Sequence, residues 1–308
     1  MSSSVSAIIA SPTLTLKGGV AMPALGLGVF QSSPEQTGDA VESALKAGYR
    51  LIDTAAAYQN EKQVGEGIRR SGVDRSEIFV TTKLWVTNYG YDSALRAFDV
   101  SLRKLGLDYL DLYLLHWPVP SDFDRTVRSY QAAEKLLADG RVRAIGVCNF
   151  GPKHLEDLVS RTEAVPSVNQ VELNPFFTQR AVRDADGKYG IVTQSWSPIG
   201  GVNFYWSSDP DAAKNPLRHP VVLKLAEQHR KTPAQIILRW HIEHGLSAIP
   251  KSVRPERIAE NIDIFDFSLT PNEVAALDNL DTGVRGGPDP EVFSSATARV
   301  TIEDELGS

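Results

Sequence analysis

The sequence predicts a single (β/α)8 barrel of the α/β class, and three observations carry the prediction. Eight short apolar runs recur, at residues 25–29, 49–53, 78–82, 110–115, 144–148, 167–171, 191–195 and 247–250. Several, LDLYLL and AIGVC above all, are apolar on both faces, as parallel strands covered on both sides must be. Longer stretches with helical spacing separate them, so β and α units alternate around one sheet. A chain of 308 residues leaves room for two domains, but barrels run past about 250 residues as one unit, and no linker or internal repeat divides this one. Residues 1–308 are therefore read as one domain, with a hairpin at about 13–22, the barrel at about 25–280 and a tail at 281–308.

In chain order, residues 13–16, the pair Gly18-Gly19 and residues 20–22 read as a short hairpin ahead of the barrel. After the first strand, Ser33-Pro34-Glu35-Gln36 reads as an N-cap, a proline at the first helical position and a capping-box Gln. Leu95, Phe98, Leu102 and Leu105 repeat at the spacing of a helix that buries one stripe. Thr232-Pro233 opens a helix carrying Ile236, Ile237 and Trp240, and Thr270-Pro271-Asn272-Glu273 opens another. Two segments lack periodicity. Residues 200–220 are rich in Gly, Asp, Pro and aromatics and follow the seventh strand, on the face where barrel enzymes keep their sites; the tail after Leu280 is the other.

Composition excludes several classes of function. The net charge of −6, with the basic residues scattered, argues against a nucleic-acid or anionic-membrane partner. Cys148 is the one cysteine, which excludes an intramolecular disulfide and any multi-cysteine metal site. No run reaches the roughly 18 apolar residues that span a bilayer. The start, MSSSVSAIIASPT, lacks a basic n-region, and the end, EDELGS, carries no lipidation signal. A cytoplasmic protein is expected.

Catalytic groups of a barrel gather at the C-terminal ends of its strands. Those ends hold Asp53, Lys83, His116, Asn149, Gln170, Trp196 and Lys251, with Tyr58 just beyond the first. Singly, each has an ordinary explanation: a helix cap, a solvated lysine, a satisfied core histidine. Together, an Asp, a Lys, a His and a Tyr at neighbouring ends form a set suited to proton transfer.

The motifs LIDTAAAY (51–58), TTKLW (81–85), LYLLHWP (112–118), GVCNF (146–150), NQVELNP (169–175), SWSPIG (195–200) and IPKSVRPERIAEN (249–261) resemble, in order, the signatures of the aldo-keto reductase family. KTPAQIILRWH and FDFSLT are similar to segments of its bacterial 2,5-diketo-D-gluconate reductases. The resemblance implies NADPH-dependent reduction of an aldehyde or ketone, with Asp53, Tyr58, Lys83 and His116 as the catalytic tetrad and Tyr58 as general acid. A free tyrosine titrates near 10, so the Lys83 cation is expected to pull Tyr58 down while Asp53 anchors Lys83. A neutral His116 is expected to orient the substrate carbonyl.

The same resemblance implies NADP(H) extended across the barrel mouth, and no dinucleotide fingerprint of the G-x-G-x-x-G type follows Gly26-Leu27-Gly28. By resemblance, Asn149 and Gln170 hold the carboxamide and Trp196 stacks on the nicotinamide, with Ser197 beside it. Lys251, Ser252, Val253, Arg254, Arg257, Glu260 and Asn261 match the adenosine-phosphate clamp. Cys148 stands where the family usually has serine, which weakens one hydrogen bond to the carboxamide; Asn174 stands where many members have histidine. Phe30, Trp85, His116 and Trp117 are expected to line the substrate pocket, with Asn203, Tyr205, Trp206 and Arg285 as further contacts from the two irregular segments. A small or medium carbonyl compound, such as a keto-sugar acid, fits such aromatic walls. Relatives of this type are monomers or weak dimers.

Two rival readings remain. A metal-dependent hydrolase would need clustered ligands, and His241-Ile242-Glu243-His244 lacks the H-E-x-x-H order, so no metal is expected. A nucleotide-binding regulatory barrel with little catalysis would show a damaged tetrad, whereas all four positions are intact here.

Overall fold

The computed structural model describes residues 11–201, 215–298 and Val300. Asn203, Tyr205 and Trp206 lie outside the described residues. Eight parallel strands form one sheet: β3 (Leu27–Gly28), β4 (Leu51–Asp53), β5 (Phe79–Leu84), β6 (Leu110–Leu115), β7 (Val142–Cys148), β8 (Val168–Glu172), β9 (Val192–Trp196) and β10 (Ser247–Ala248). All eight apolar runs are strands, although the first and last shrink to two residues each. The sheet closes through bridges Leu25↔Ala248 and Gly28↔Lys251. Glycine is required at this closure, since a Cβ on Gly28 would sit 2.9 Å from the carbonyl oxygen of Ile249.

Ahead of the barrel, β1 (Thr13–Thr15) pairs antiparallel with β2 (Ala21–Pro23). The turn between them uses Gly18 and Gly19 at φ 79° and 78°, a region open to glycine. Leu16 and Met22 from this hairpin join Leu51, Phe79, Leu112, Leu114, Ala144, Val168 and Ile249 in one buried cluster inside the barrel. Strand periodicity sorts the rest: Leu112 and Leu114 face inward, while Tyr113 and Leu115 pack outward against the helices. The same parity carries Asp53 and Lys83 inward above Leu51 and Phe79, and so toward the mouth.

The helical layer follows the capping signals, with one correction. Thr232 and Thr270 form capping boxes with Gln235 and Glu273. Ser33 does not: helix Pro34–Lys46 begins there without a side-chain cap, because the hydroxyl serves the carboxylate of Glu35. In helix Pro233–Glu243, the ring of His241 bonds the carbonyl of Pro198 at 3.0 Å. His244, just past its end, bridges Arg183 and Asp278 at 3.0 and 2.8 Å. Among the described residues no helix is long and apolar enough to cross a membrane.

Candidate active site

Lys83, fully buried in β5, is the hub of the site. Its Nζ lies 2.5 Å from Oδ1 of Asp53, 2.9 Å from the carbonyl of Thr54 and 3.4 Å from the hydroxyl of Tyr58. Tyr58 sits in the one-turn helix Ala56–Tyr58, which is pinned by its flanks. Thr54 donates to Oδ1 of Asn60 at 2.8 Å, and the Asn60 amide donates to the carbonyl of Val29 at 3.0 Å. His116 follows β6 directly and meets Tyr58 edge-on, ring centroids 5.8 Å apart. All four residues of the expected tetrad therefore converge.

Electrostatics differ from expectation at one of them. Burial pushes Tyr58 up to about 12, outweighing the Lys83 cation. The phenol is thus a held proton rather than a ready phenolate. Burial also lifts Asp53, against the pull of Lys83 and a hydrogen bond from Gln170. Burial opposes the charge on Lys83, but Asp53, Tyr58 and Cys148 together raise its pKa above the ordinary value. His116 is driven well below the usual imidazole range by burial and by Lys83, so it is neutral near pH 7.

The strand ends on the far side carry the expected cofactor residues. Asn149 and Ser197 both adopt left-handed backbone, at φ 66° and 48°, which turns the chain sharply where β7 and β9 finish. The Asn149 amide donates to the carbonyl of His116 at 3.0 Å and to Sγ of Cys148 at 3.2 Å, while Trp196 donates its indole N–H to Oδ1 of Asn149 at 2.9 Å. Burial raises the Cys148 thiol, so it is a neutral group and no nucleophile. Below this turn, Asn169 exchanges hydrogen bonds with the backbone of Phe150 at 3.3 and 3.0 Å and is held in turn by Asp186 at 3.0 Å. Gln170 turns its amide N–H groups inward, to Asp53 and to Gln194, both at 2.7 Å.

Lys251, Ser252 and Val253 follow β10, and Arg254 precedes helix Pro255–Ile262, which carries Arg257, Glu260 and Asn261. None of Lys251, Arg254 and Arg257 pairs with a carboxylate among the described residues. Glu260 instead accepts from Thr232 at 2.8 Å, and Asn261 is buried.

Aromatic rings wall the mouth. Phe30 packs on Tyr58 with centroids 5.0 Å apart, and Trp85 meets His116 edge-on at 5.0 Å. Trp117 is fixed by Tyr89, whose hydroxyl donates to its carbonyl at 2.6 Å. The tail, expected from the sequence to be one wall of the pocket, adds to it through two residues that sequence reasoning did not single out. Phe293 stacks on Trp117, and the carbonyl of Val300 accepts from the Trp85 indole at 2.7 Å. Phe293 is the one aromatic residue after Phe267, a signal that could have singled it out. The tail is moored by Glu172 at the end of β8, which accepts from the backbone of Gly286 and Gly287 at 2.8 and 2.9 Å. Arg285 lies over the ring of Phe177, 4.9 Å from its centroid.

Comparison with known proteins agrees with this architecture. The pattern of the Aldo/keto reductase family matches residues 23–282. Morphine 6-dehydrogenase of Pseudomonas putida is 58% identical over 281 residues, covering 91% of this chain and 95% of that protein. Methylglyoxal reductase DkgA of Escherichia coli K12 is 44% identical over 286 residues, 92% of this chain and 99% of its own length. A Bombyx mori aldo-keto reductase solved in complex with NADP superposes with a TM-score of 0.84 at 38% identity, covering 92% of this chain and 99% of that one. By the extent of these matches, the chain belongs to the aldo/keto reductase family.

Proposed function

We propose that the protein reduces an aldehyde or ketone to an alcohol with NADPH, and that Tyr58 is the general acid. The observation that carries this reading is the contact of one buried ammonium, Lys83, with both Asp53 and the Tyr58 hydroxyl beneath an aromatic wall. The residues present suit a nicotinamide dinucleotide. Among the described residues Oε1 of Gln170 has only the weak thiol contact of Cys148 at 3.8 Å, and Oδ1 of Asn149 keeps a second lone pair, so two acceptors are available to a carboxamide amine. Trp196, half-buried, supplies a ring face, and the cations at 251, 254 and 257, which pair with no carboxylate among the described residues, suit a phosphate at the other end.

When bound, the reduced nicotinamide supplies a hydride to the carbonyl carbon. The chain's own groups then handle orientation and the proton. Neutral His116 and protonated Tyr58 both donate to the carbonyl oxygen, which aligns the carbonyl carbon and polarises the bond. As negative charge gathers on that oxygen, Tyr58 releases its proton, and the adjacent Lys83 cation offsets the charge left on the phenolate. A phenol held near 12 is a poor acid in the resting site, so Lys83 has its effect in the transition state, where charge has moved.

The names of the relatives span a morphine dehydrogenase and a methylglyoxal reductase, which supports a small or medium carbonyl substrate; a keto-sugar acid is one candidate. We extend the reading to a cytoplasmic monomer or weak dimer with no nucleic-acid or membrane partner, which the net charge of −6 supports. Tyr58→Phe tests the core of it. Turnover with NADPH and an aldehyde panel should fall at least about 100-fold while the Kd for NADPH stays within about threefold. Turnover within fivefold of wild type would remove Tyr58 from the mechanism, whereas low wild-type activity with every carbonyl tested, despite tight NADPH binding, would revive a regulatory nucleotide-binding role.

A further inference from the structure

Beneath the tetrad, a row of buried polar side chains leads from Asp53 and Gln170 to Gln194 and Ser247, two residues with no role in the reading above. It runs from Asp53 in β4 through Gln170 in β8 and Gln194 in β9 to Ser247 in β10. Every member is at most 1% exposed. Buried amides are costly unless each N–H and C=O is matched, so this row has to be read as a donor–acceptor sequence.

That sequence has one direction. The Asp53 carboxylate can only accept, since Lys83 holds its other oxygen at 2.5 Å. Gln170 must therefore present Nε2 to Asp53, at 2.7 Å. The second hydrogen of that nitrogen needs an acceptor, and Oε1 of Gln194 supplies it at 2.7 Å. Gln194 must in turn send its own Nε2 onward, to Oγ of Ser247 at 3.0 Å and toward the sulfur of Met22 at 3.9 Å. With both hydrogens of Gln170 committed inward, its Oε1 is left facing Cys148 and the mouth.

We infer that Gln194 is a positioning residue for Asp53, acting through Gln170, and that the pair couples the tetrad to the carboxamide end of the cofactor site. The inference rests on the tetrad reading above. Gln194 touches neither Lys83 nor Tyr58; it fixes which way the Gln170 amide points. Groups facing Asp53 are Lys83 from β5, Tyr58 from the turn after β4, Gln170 from β8 and the Cys148 thiol from β7. Of these only Lys83 and Gln170 favour the charged carboxylate. Loosening Gln170 therefore lets Asp53 take up a proton at higher pH, and a protonated Asp53 no longer anchors Lys83.

The test is the pH profile of kcat for the full chain with NADPH and one aldehyde. Gln194→Met, which keeps volume but offers Gln170 no comparable acceptor, should move the acid limb up by about half to one pH unit and weaken NADPH by about two- to fivefold, less than Gln170→Met does. Gln170→Met should move it at least as far and also weaken NADPH. The double variant should shift no further than Gln170→Met alone, because Gln194 acts only through that residue. A profile for Gln194→Met that superimposes on wild type, or a double variant whose shifts add, overturns the inference. Should Gln194→Met fail to fold, Gln194→Thr, too short to reach Gln170 yet well suited to a strand, must give the same shift. Tyr58→Phe separates the two claims. If it stays active, both readings fall; if it is inactive while the Gln194 variants titrate as wild type, only the network falls.

Discussion

Phe293 lies flat against Trp117, with ring centroids 4.1 Å apart and planes 12° from parallel. The stack joins a stretch of the tail that, among the described residues, lies in no helix or strand to the residue that follows His116, so one wall of the proposed substrate site comes from the tail. Phe293 also meets Trp85 edge-on at 6.0 Å.

Phe293→Ala should therefore act on substrate choice rather than on chemistry. An aromatic pair contributes about 0.5–1.5 kcal/mol beyond area burial, hence about a 2- to 13-fold rise in KM for a bulky aryl aldehyde. Turnover of a two- or three-carbon aldehyde should change less than twofold. Steady-state kinetics on both substrates check this, and equal losses on both would place Phe293 in the catalytic step.

Removing the Lys83 ammonium leaves the Asp53 carboxylate buried without its cation. Lys83→Met should lower turnover at least about 100-fold and destabilise the fold by about 3–5 kcal/mol, as breaking a buried pair does. Asp53→Asn added to Lys83→Met should restore most of that stability and none of the activity. Chemical denaturation alongside kinetics separates the two effects.

Cofactor choice should turn on Arg257. A charge-assisted hydrogen bond contributes about 1.5–3 kcal/mol, so Arg257→Ala should weaken NADPH binding by about 10- to 150-fold and leave NADH nearly unchanged. Fluorescence titration with both cofactors decides it. Equal losses for both would detach Arg257 from the 2′-phosphate.

Asp186 gives stability a pH dependence of definite sign. Burial lifts its carboxyl from 3.8 to about 7, against hydrogen bonds from Thr193 and Asn169. A carboxyl that binds its proton more tightly folded than unfolded contributes stability below its unfolded pKa. That contribution is lost as pH rises through its folded value. Asp186→Asn removes the penalty, so its Tm relative to wild type should climb between pH 4 and pH 8, by about 3 °C or more. Scanning calorimetry across that range reads it; a Tm difference independent of pH would mean that Asp186 is ionised at no cost.

The strands and the tetrad were legible because their signals are local. Apolar runs mark β4 to β9, and inward parity at a strand end places Asp53, Lys83 and Gln170 whatever the surroundings. What escaped depends on contacts between distant residues. Gln170 lies 117 positions from Asp53, and only barrel closure brings them together. Phe293 and Glu172 meet their partners through a tail with no periodicity to read. Ser33 looked like a cap, yet a neighbouring carboxylate two residues on competes for its hydroxyl. At Tyr58 the Lys83 cation was visible in the motif, but the burial that outweighs it was not, since desolvation is a property of the packed site.

The two-residue strands at either end of the sheet make the barrel a ring fastened by a small clasp. Backbone bonds from Gly26 to Ala248 at 2.9 Å, Ala248 to Ala24 at 2.8 Å and Gly28 to Pro250 at 3.1 Å are what hold it shut. Unfastening these bonds is the cheapest route for solvent into the interior, so the amide protons at Gly26, Gly28 and Ala248 report partial opening ahead of those in β5 and β6. Lys251 follows the last closing residue directly and bridges to Gly28. If the dinucleotide is gripped there, as proposed, it bolts the two ends of the ring together, and cofactor occupancy and resistance to unfolding should rise as one quantity.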